Sequence, residues 1–515
     1  MSELINDGSS WRSVVVILLF VLAINILSMP AERYAGDADA TRVQAFTLLE
    51  IGEWNVTPQI AQIFGERGQY FYENGNGKWY SKYGVLNTLI YLPALWLDKM
   101  TLDDEARSSA GSVFALNLTN LVFSIATAAY LVLLARRYTK RAALIAIFVL
   151  ASLYTTFWWN YLRTQTFEIY QTLFLLAFYY HFVTALSFYR QATNRRRDLH
   201  LLLAAIYFGA LCLCKSVYVV LLPAIVAMLC RVELAPSMSI YGASTHDSSS
   251  REKRFRRLPR QLLFFWLPIV ILLSILAFTN WIRFGSPFAT GYTQWEKERQ
   301  LFKLANLFPA LWGFCFSSRH SIFLHYPVLL FALAGWPIFF TKHKLDALAI
   351  ILMSASLLLV NSTFSNWRGE SSYGPRYLLP VLPLLGLPFI DYISWIATLS
   401  NKLARAMLTA GTSAILAYSL LLQVSVNTMP FFFSHKLRNI LDDRRLSKPA
   451  IYLNSHHIGS INLAFLLFRS GHDSSFGRNF VSHLSSSERA RLDALNKSLF
   501  ANYYWFPNLP SAKSK

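Results

Sequence analysis

"WRSVVVILLFVLAINILSMPAERYAGDADATR" (residues 11–42) passes from an unbroken apolar run into a loop with two carboxylates, Asp37 and Asp39. The run at about 13–29 approaches the length a bilayer-spanning helix needs, roughly 20 residues. Only Arg12 forms a basic region before it, and no convincing small-residue cleavage site follows. The run therefore reads as a retained span rather than a removed signal peptide.

The rest of the chain extends that reading. Of its 515 residues, 54% are hydrophobic and 15% charged, against about 25% charged in an average soluble domain. Further apolar runs lie at about 111–135, 142–159, 167–187, 200–214, 216–232, 262–280, 322–341, 345–361, 377–397 and 406–427. The expected fold is an all-α polytopic membrane protein of about eleven transmembrane helices. The membrane domain would occupy residues 1–427, and 428–515 would form a tail or small domain on the outer side.

The formal net charge of +20 is distributed as a topology signal. Basic residues cluster between the apolar runs: Arg136, Arg137, Lys140 and Arg141, then Arg195 to Arg197, then Arg251 to Arg260. Short Lys/Arg-rich loops stay cytoplasmic, and with the N-terminus inside these loops all fall on that side. Their partners would be anionic lipid headgroups, not nucleic acid. The four cysteines form no disulfide framework, and Cys212-Leu-Cys214 lacks the spacing of a zinc or redox pair.

One apolar stretch, "YGVLNTLIYLPALWL" (83–97), breaks this alternation if it crosses. It therefore reads as an interfacial or re-entrant helix. The first outer loop then runs from about 30 to 110, and loops this long tend to be functional. Within it, Val43, Phe46 and Leu49 have helical spacing and Gly52 marks a stop, which suits a helix lying on the membrane surface.

No phosphate-binding glycine loop, paired-histidine zinc motif or nucleophile elbow is present. Few charges lie in mid-span, where transporters usually keep them. Instead Asp37, Asp39, Lys82, Arg163, Glu168, Lys215, Arg319, His320, Arg368, Glu370 and Arg376 gather with aromatic residues on the outer side. Cations there suit a lipid phosphate, aromatics suit a sugar, and a carboxylate can take a proton.

Several segments carry a more specific likeness: "GDADATRVQAFTLLEIGEW" (36–54), "WYSKYGVLNTLIYLPALWL" (79–97), "QTFEIYQTLFLLAFYY" (165–180) and "WRGESSYGPRYLLPVLPLLGLP" (367–388), with "SSRHSIFLHYPVLLFAL" (317–333) a weaker fifth. Together they resemble the GT-C membrane glycosyltransferases, among them the protein O-mannosyltransferases and the lipid A aminoarabinose transferase. The resemblance implies a helical bundle that moves a sugar, with inversion, from a polyprenyl-phosphate carrier to an acceptor hydroxyl on a glycan, lipid or protein. It implies an active site on the periplasmic or outer side of a membrane, here a bacterial inner membrane. The base would be an Asp of the first outer loop. Spacing to Gly52 and Trp54 favours Asp37, and spacing to Arg42 favours Asp39. Lys82 and Arg376 would hold the donor phosphate, and Glu168, Arg319, His320 and Tyr373 would contact substrate. No cofactor is required; a divalent metal is compatible, but no ligand cluster calls for one. A lipid-linked-sugar flippase and a non-catalytic glycan-binding protein are the alternative readings.

Overall fold

The computed structural model describes residues 8–31, 37–63, 70–103, 111–188, 195–234, 262–295, 300–317, 320–369 and 372–428, with isolated positions 485, 486 and 490. Arg319, Glu370 and the expected tail domain from 429 onward otherwise lie outside these residues.

The described chain is mostly helical. Among the described residues, six helices are long and apolar enough to cross a membrane: Val113–Tyr138, Phe167–Ser187, Arg195–Cys214, Leu263–Phe284, Lys344–Thr363 and Lys402–Val424. The other expected spans correspond to shorter apolar helices, and proline explains several of the interruptions. The run 322–341 divides into Ile322–His325 and Val328–Lys342 around Pro327. The run 377–397 becomes a 3₁₀ turn at Arg376–Leu378 and the helices Leu382–Leu385 and Phe389–Thr398, interrupted by Pro380 and Pro388. Proline removes an N–H and clashes with the preceding turn, so a continuous helix cannot run through these positions. A further apolar helix, Leu307–Phe316, lies between the expected spans 262–280 and 322–341.

Burial separates the centre of the bundle from its rim. Within the span Phe167–Ser187, 89% of the apolar window is buried in protein, against 17% for Leu263–Phe284 and Lys402–Val424. A helix apolar all round needs protein or lipid on every side, and Phe167–Ser187 obtains protein. It packs on Val113–Tyr138 and, most extensively, on Arg195–Cys214. Its first turn holds Glu168, so the most enclosed helix of the bundle presents a carboxylate at its end.

The first long loop is built rather than loose. Asp37–Ile51 is a helix that ends at Gly52, whose φ of +76° suits glycine in a left-handed stop. It packs on the helix Val85–Thr101, which contains the stretch expected to lie at the interface. Between them lies an element that an all-α reading misses. Strand β1 (Phe71–Glu73) pairs antiparallel with β2 (Trp79–Ser81), in the register Phe71↔Ser81 and Glu73↔Trp79. Gln44 of the first helix accepts the Ser81 backbone N–H at 2.8 Å. Arg283, at the end of Leu267–Phe284, donates to the carbonyls of Ser81 and of Tyr83 (2.6 Å to the latter). The hairpin exit is thus pinned from two sides, and the next residue is Lys82.

Candidate active site

The two acids of the first loop have different surroundings. Asp37 and Asp39 both lie in the first helical turn, where the helix dipole favours negative charge. Asp39 is buried in an ion pair with Arg42, three residues on. Arg42 is itself fully buried, donates to Gln165 Oε1 at 2.9 Å and faces the Tyr91 ring at 5.7 Å. Asp37 is more open, its side chain 30% exposed. It accepts the Tyr83 hydroxyl at 2.6 Å and pairs with Arg376 Nη2 at 2.7 Å.

Arg376 joins this acid to a second one. Its Nε donates to Glu168 Oε1 at 2.6 Å, while Nη2 faces Asp37. The guanidinium fork makes such a two-sided bridge possible, since it offers donors in fixed directions. The loop that carries it is shaped by Gly374, at φ +71°, and Pro375. Lys82 completes the Asp37 side. Its Nζ lies 5.3 Å from the Tyr83 ring centroid, 5.6 Å from Tyr70 and 5.7 Å from Tyr292. Lys215, between the helix Arg195–Cys214 and the following 3₁₀ turn, stands 4.1 Å over the Tyr377 ring.

Lys82, Tyr83, Glu168, Lys215, Tyr292 and Arg376 line one cavity, with Asn87 and Gln171 among the other polar groups. Its empty space, counted to the mouth, is about 530 Å³. The electrostatics of its wall follow from the pairings. Burial alone would raise the Asp37 carboxyl; Arg376, Lys82 and the Tyr83 hydroxyl outweigh it and hold Asp37 below its ordinary value. Burial and the Asp37 charge both push the Tyr83 hydroxyl well above its usual range, so it remains a donor. Burial opposes charge on Arg376, but Glu168 and Asp37 more than compensate and raise it. Lys215 is pushed down to about 8 by burial, against the opposing pull of Glu168.

The structure therefore brings Asp37, Lys82, Glu168 and Arg376 together and sets other sequence candidates apart. Asp39 is committed to Arg42. His320 is buried with its ring 5.7 Å from that of Trp367, and does not line the cavity. Tyr373 is buried behind Arg376, its hydroxyl accepting from Gln423 at 3.1 Å and its ring edge-on to His325 at 5.1 Å. Arg319 falls outside the described residues. Sequence reasoning did not single out Tyr83, Tyr292, Asn87 or Gln165. Tyr83 had a signal in its position directly after Lys82; Tyr292, far along the chain, had none. Among the described residues, no three His, Cys, Asp or Glu side chains converge as metal ligands would.

Residues 109–241, about a quarter of the chain, match the family described as dolichyl-phosphate-mannose-protein mannosyltransferase. No curated protein matches in sequence. Among solved structures, ArnT from Cupriavidus metallidurans in the apo state aligns with a TM-score of 0.50 at 13% identity, over 95% of this chain and 80% of that one. The same enzyme bound to undecaprenyl phosphate aligns at 0.48 and 13% identity, over 97% and 75%. The Archaeoglobus fulgidus oligosaccharyltransferase AglB, in complex with an inhibitory peptide and a dolichol-phosphate, aligns at 0.50 and 11% identity. That alignment takes in 85% of this chain but only 58% of AglB, so this chain spans less than two thirds of the archaeal enzyme. The chain thus shares its fold with ArnT and AglB, and its segment 109–241 is similar to the mannosyltransferase family.

Proposed function

We propose that this enzyme transfers a sugar from a polyprenyl-phosphate carrier to an acceptor hydroxyl, with inversion at the anomeric carbon. The observation that carries this reading is the Arg376 bridge. One guanidinium touches both Asp37 and Glu168 at the edge of a cavity that also holds Lys82 and Lys215. Cationic side chains suit a phosphodiester, and a carboxylate that stays ionised beside them suits a hydroxyl nucleophile.

In this scheme the donor phosphate sits among Lys82, Lys215 and Arg376, with its sugar toward Glu168 and the tyrosines. The acceptor oxygen attacks the anomeric carbon from the face opposite the phosphate. Its proton passes to Asp37, which orients the hydroxyl beforehand. The bond from carbon to phosphate oxygen breaks with its electron pair on the leaving phosphate. The cations stabilise that growing charge. A lipid phosphate is already a good leaving group, so no covalent enzyme intermediate is needed. A polyprenyl carrier is supported by the dolichyl phosphate in the name of the matching family and by the dolichol-phosphate bound to AglB.

The reading places the site on the periplasmic or outer face, near the ends of about eleven spans, in a bacterial inner membrane. It leaves the acceptor as a hydroxyl-bearing glycan, lipid or protein. The test is transfer by purified protein with a panel of polyprenyl-phosphate sugars. Turnover by the wild type that disappears in Asp37→Asn, with donor still bound, supports it. Donor binding without turnover in any protein would favour a non-catalytic glycan-binding protein instead.

A further inference from the structure

Gln165 is the only non-glycine among the described residues with a left-handed backbone, at φ +58°. Side chains with a Cβ avoid this region. A fully buried residue keeps such a conformation only where its surroundings over-determine it, and residues of this kind cluster at functional sites. The surroundings here are specific. The Gln165 Oε1 accepts from Arg42 Nη1 at 2.9 Å, and its Nε2 donates to Asn117 Oδ1 at 3.3 Å. Its backbone carbonyl accepts the Tyr91 hydroxyl at 3.1 Å, and its N–H donates to the Leu162 carbonyl at 3.4 Å.

What this turn launches is the helix Phe167–Ser187, with Glu168 three residues after Gln165. What its amide grips is Arg42, in the helix that begins at Asp37. The connections close on themselves. From Asp37 the helix leads to Arg42, the Gln165 amide leads to the turn, and the turn leads to Glu168. Arg376 then returns from Glu168 to Asp37. We propose that Gln165 is a positioning residue, whose left-handed turn and amide strut to Arg42 set Glu168 against Arg376 and, through Arg376, orient Asp37. The inference rests on the glycosyl-transfer reading above and gives Asp39 and Arg42 a role in it: they anchor the strut.

The groups facing Asp37 are Arg376, Lys82 and Tyr83, with Tyr292 and Lys215 from two further elements. Loss of the strut changes none of these side chains; it changes where Glu168 holds Arg376. A looser Arg376 stabilises the Asp37 carboxylate less, so Asp37 protonates at higher pH. That displacement separates a positioning role from a merely structural one.

The experiment uses the full chain in detergent, with Gln165→Gly, which accommodates the left-handed turn but removes the amide. Asn117→Ala is the second variant and frees only the far side of the amide. For Gln165→Gly we expect kcat to fall about 10-fold or more while donor KM stays within about 3-fold, since misplacement costs rate more than binding. The acid limb of the pH–rate profile should rise by about half a pH unit, with a smaller shift of the same sign in Asn117→Ala. Wild-type kcat and an unmoved limb in Gln165→Gly would overturn the proposal. So would a loss of rate matched by the loss of folded protein with the limb unmoved. If the wild type turns over no donor, the transfer reading itself fails. The strut is then judged by the pH dependence of undecaprenyl phosphate affinity: a shift in Gln165→Gly retains it, and coincidence with wild type removes it.

Discussion

Arg376 Nη2 stands 2.7 Å from Asp37 Oδ2, and the same guanidinium reaches Glu168 on its other side. A single ammonium cannot occupy both positions with directed hydrogen bonds. Arg376→Lys therefore keeps the charge but breaks the bridge. The expected result is a fall in kcat of about 10²-fold, the scale of losing one charge-stabilising donor at a transition state. Arg376→Ala should fall at least as far and also weaken donor binding. Steady-state kinetics with a polyprenyl-phosphate sugar decide the matter. An Arg376→Lys enzyme with wild-type kcat would mean that charge alone suffices.

Asp37 and Asp39 should fail in different ways. Asp37 touches the cavity-lining residues Tyr83 and Arg376, and Arg376 keeps Glu168 as a second partner, so Asp37→Asn should lose turnover and keep the fold. Asp39→Ala strands Arg42, which has no exposed surface. Removing one partner of a buried pair typically costs about 3–5 kcal/mol, so this variant should lose thermal stability first and activity with it. Melting temperature measured beside turnover separates the two. Equal melting temperatures for both variants would contradict the division of labour.

Lys215 supplies a pH prediction whose sign can be worked out. Burial holds it down to about 8, so it loses its charge as pH rises through that value. Donor affinity should therefore weaken above about pH 8, where a phosphate-binding cation disappears. Arg stays protonated across this range, so Lys215→Arg should flatten the alkaline fall in affinity. Folding runs the other way. Between the depressed pKa and the ordinary lysine value the unfolded chain binds more protons, so stability attributable to Lys215 increases with pH. A pH titration of donor KM, wild type against Lys215→Arg, checks the first statement, and denaturant midpoints across the same range check the second.

The site residues legible in the sequence are those whose side chains are out of place. Lys82, Glu168 and Arg376 each put a charge beside an apolar run, where ionisable groups are costly and seldom idle. Gln165 gives no such signal, because a left-handed φ is set by the turn around it and not by residue type. Tyr292 reaches the cavity from the separate short helix Gly291–Trp295, through a packing that no local pattern encodes. The helix 37–51 and its stop at Gly52 are readable from spacing and a glycine. The hairpin at 71–81 is not, since its strands are three residues each and too short to show alternation. Hydropathy runs straight through Pro327, Pro380 and Pro388, so it marks apolar length where the backbone has already broken.

The last prediction concerns the distance between the two lysines. Gly84 lies against the carbonyls of Leu213 and Cys214, and a Cβ there would clash with both oxygens. The obstacle is backbone, so it cannot rotate away. Gly84 is two residues after Lys82, and Cys214 is the residue before Lys215. Gly84→Ala should therefore drive the hairpin exit and the Lys215 turn apart, opening the pair of cations proposed to share one phosphate. Overpacking of this kind costs about 1–3 kcal/mol, which predicts a lower melting temperature. Donor KM should rise more than kcat falls, because Arg376 and Glu168 lie on other elements and Asp37 is tied to this one only through the Tyr83 hydroxyl and the Lys82 charge. Gly411→Ala is the matched control: nothing lies within 4 Å of its added carbon, and a helix interior favours Ala over Gly by about 1 kcal/mol. A Gly84→Ala protein with the donor KM of the Gly411→Ala control would show that the spacing of Lys82 and Lys215 does not govern phosphate binding.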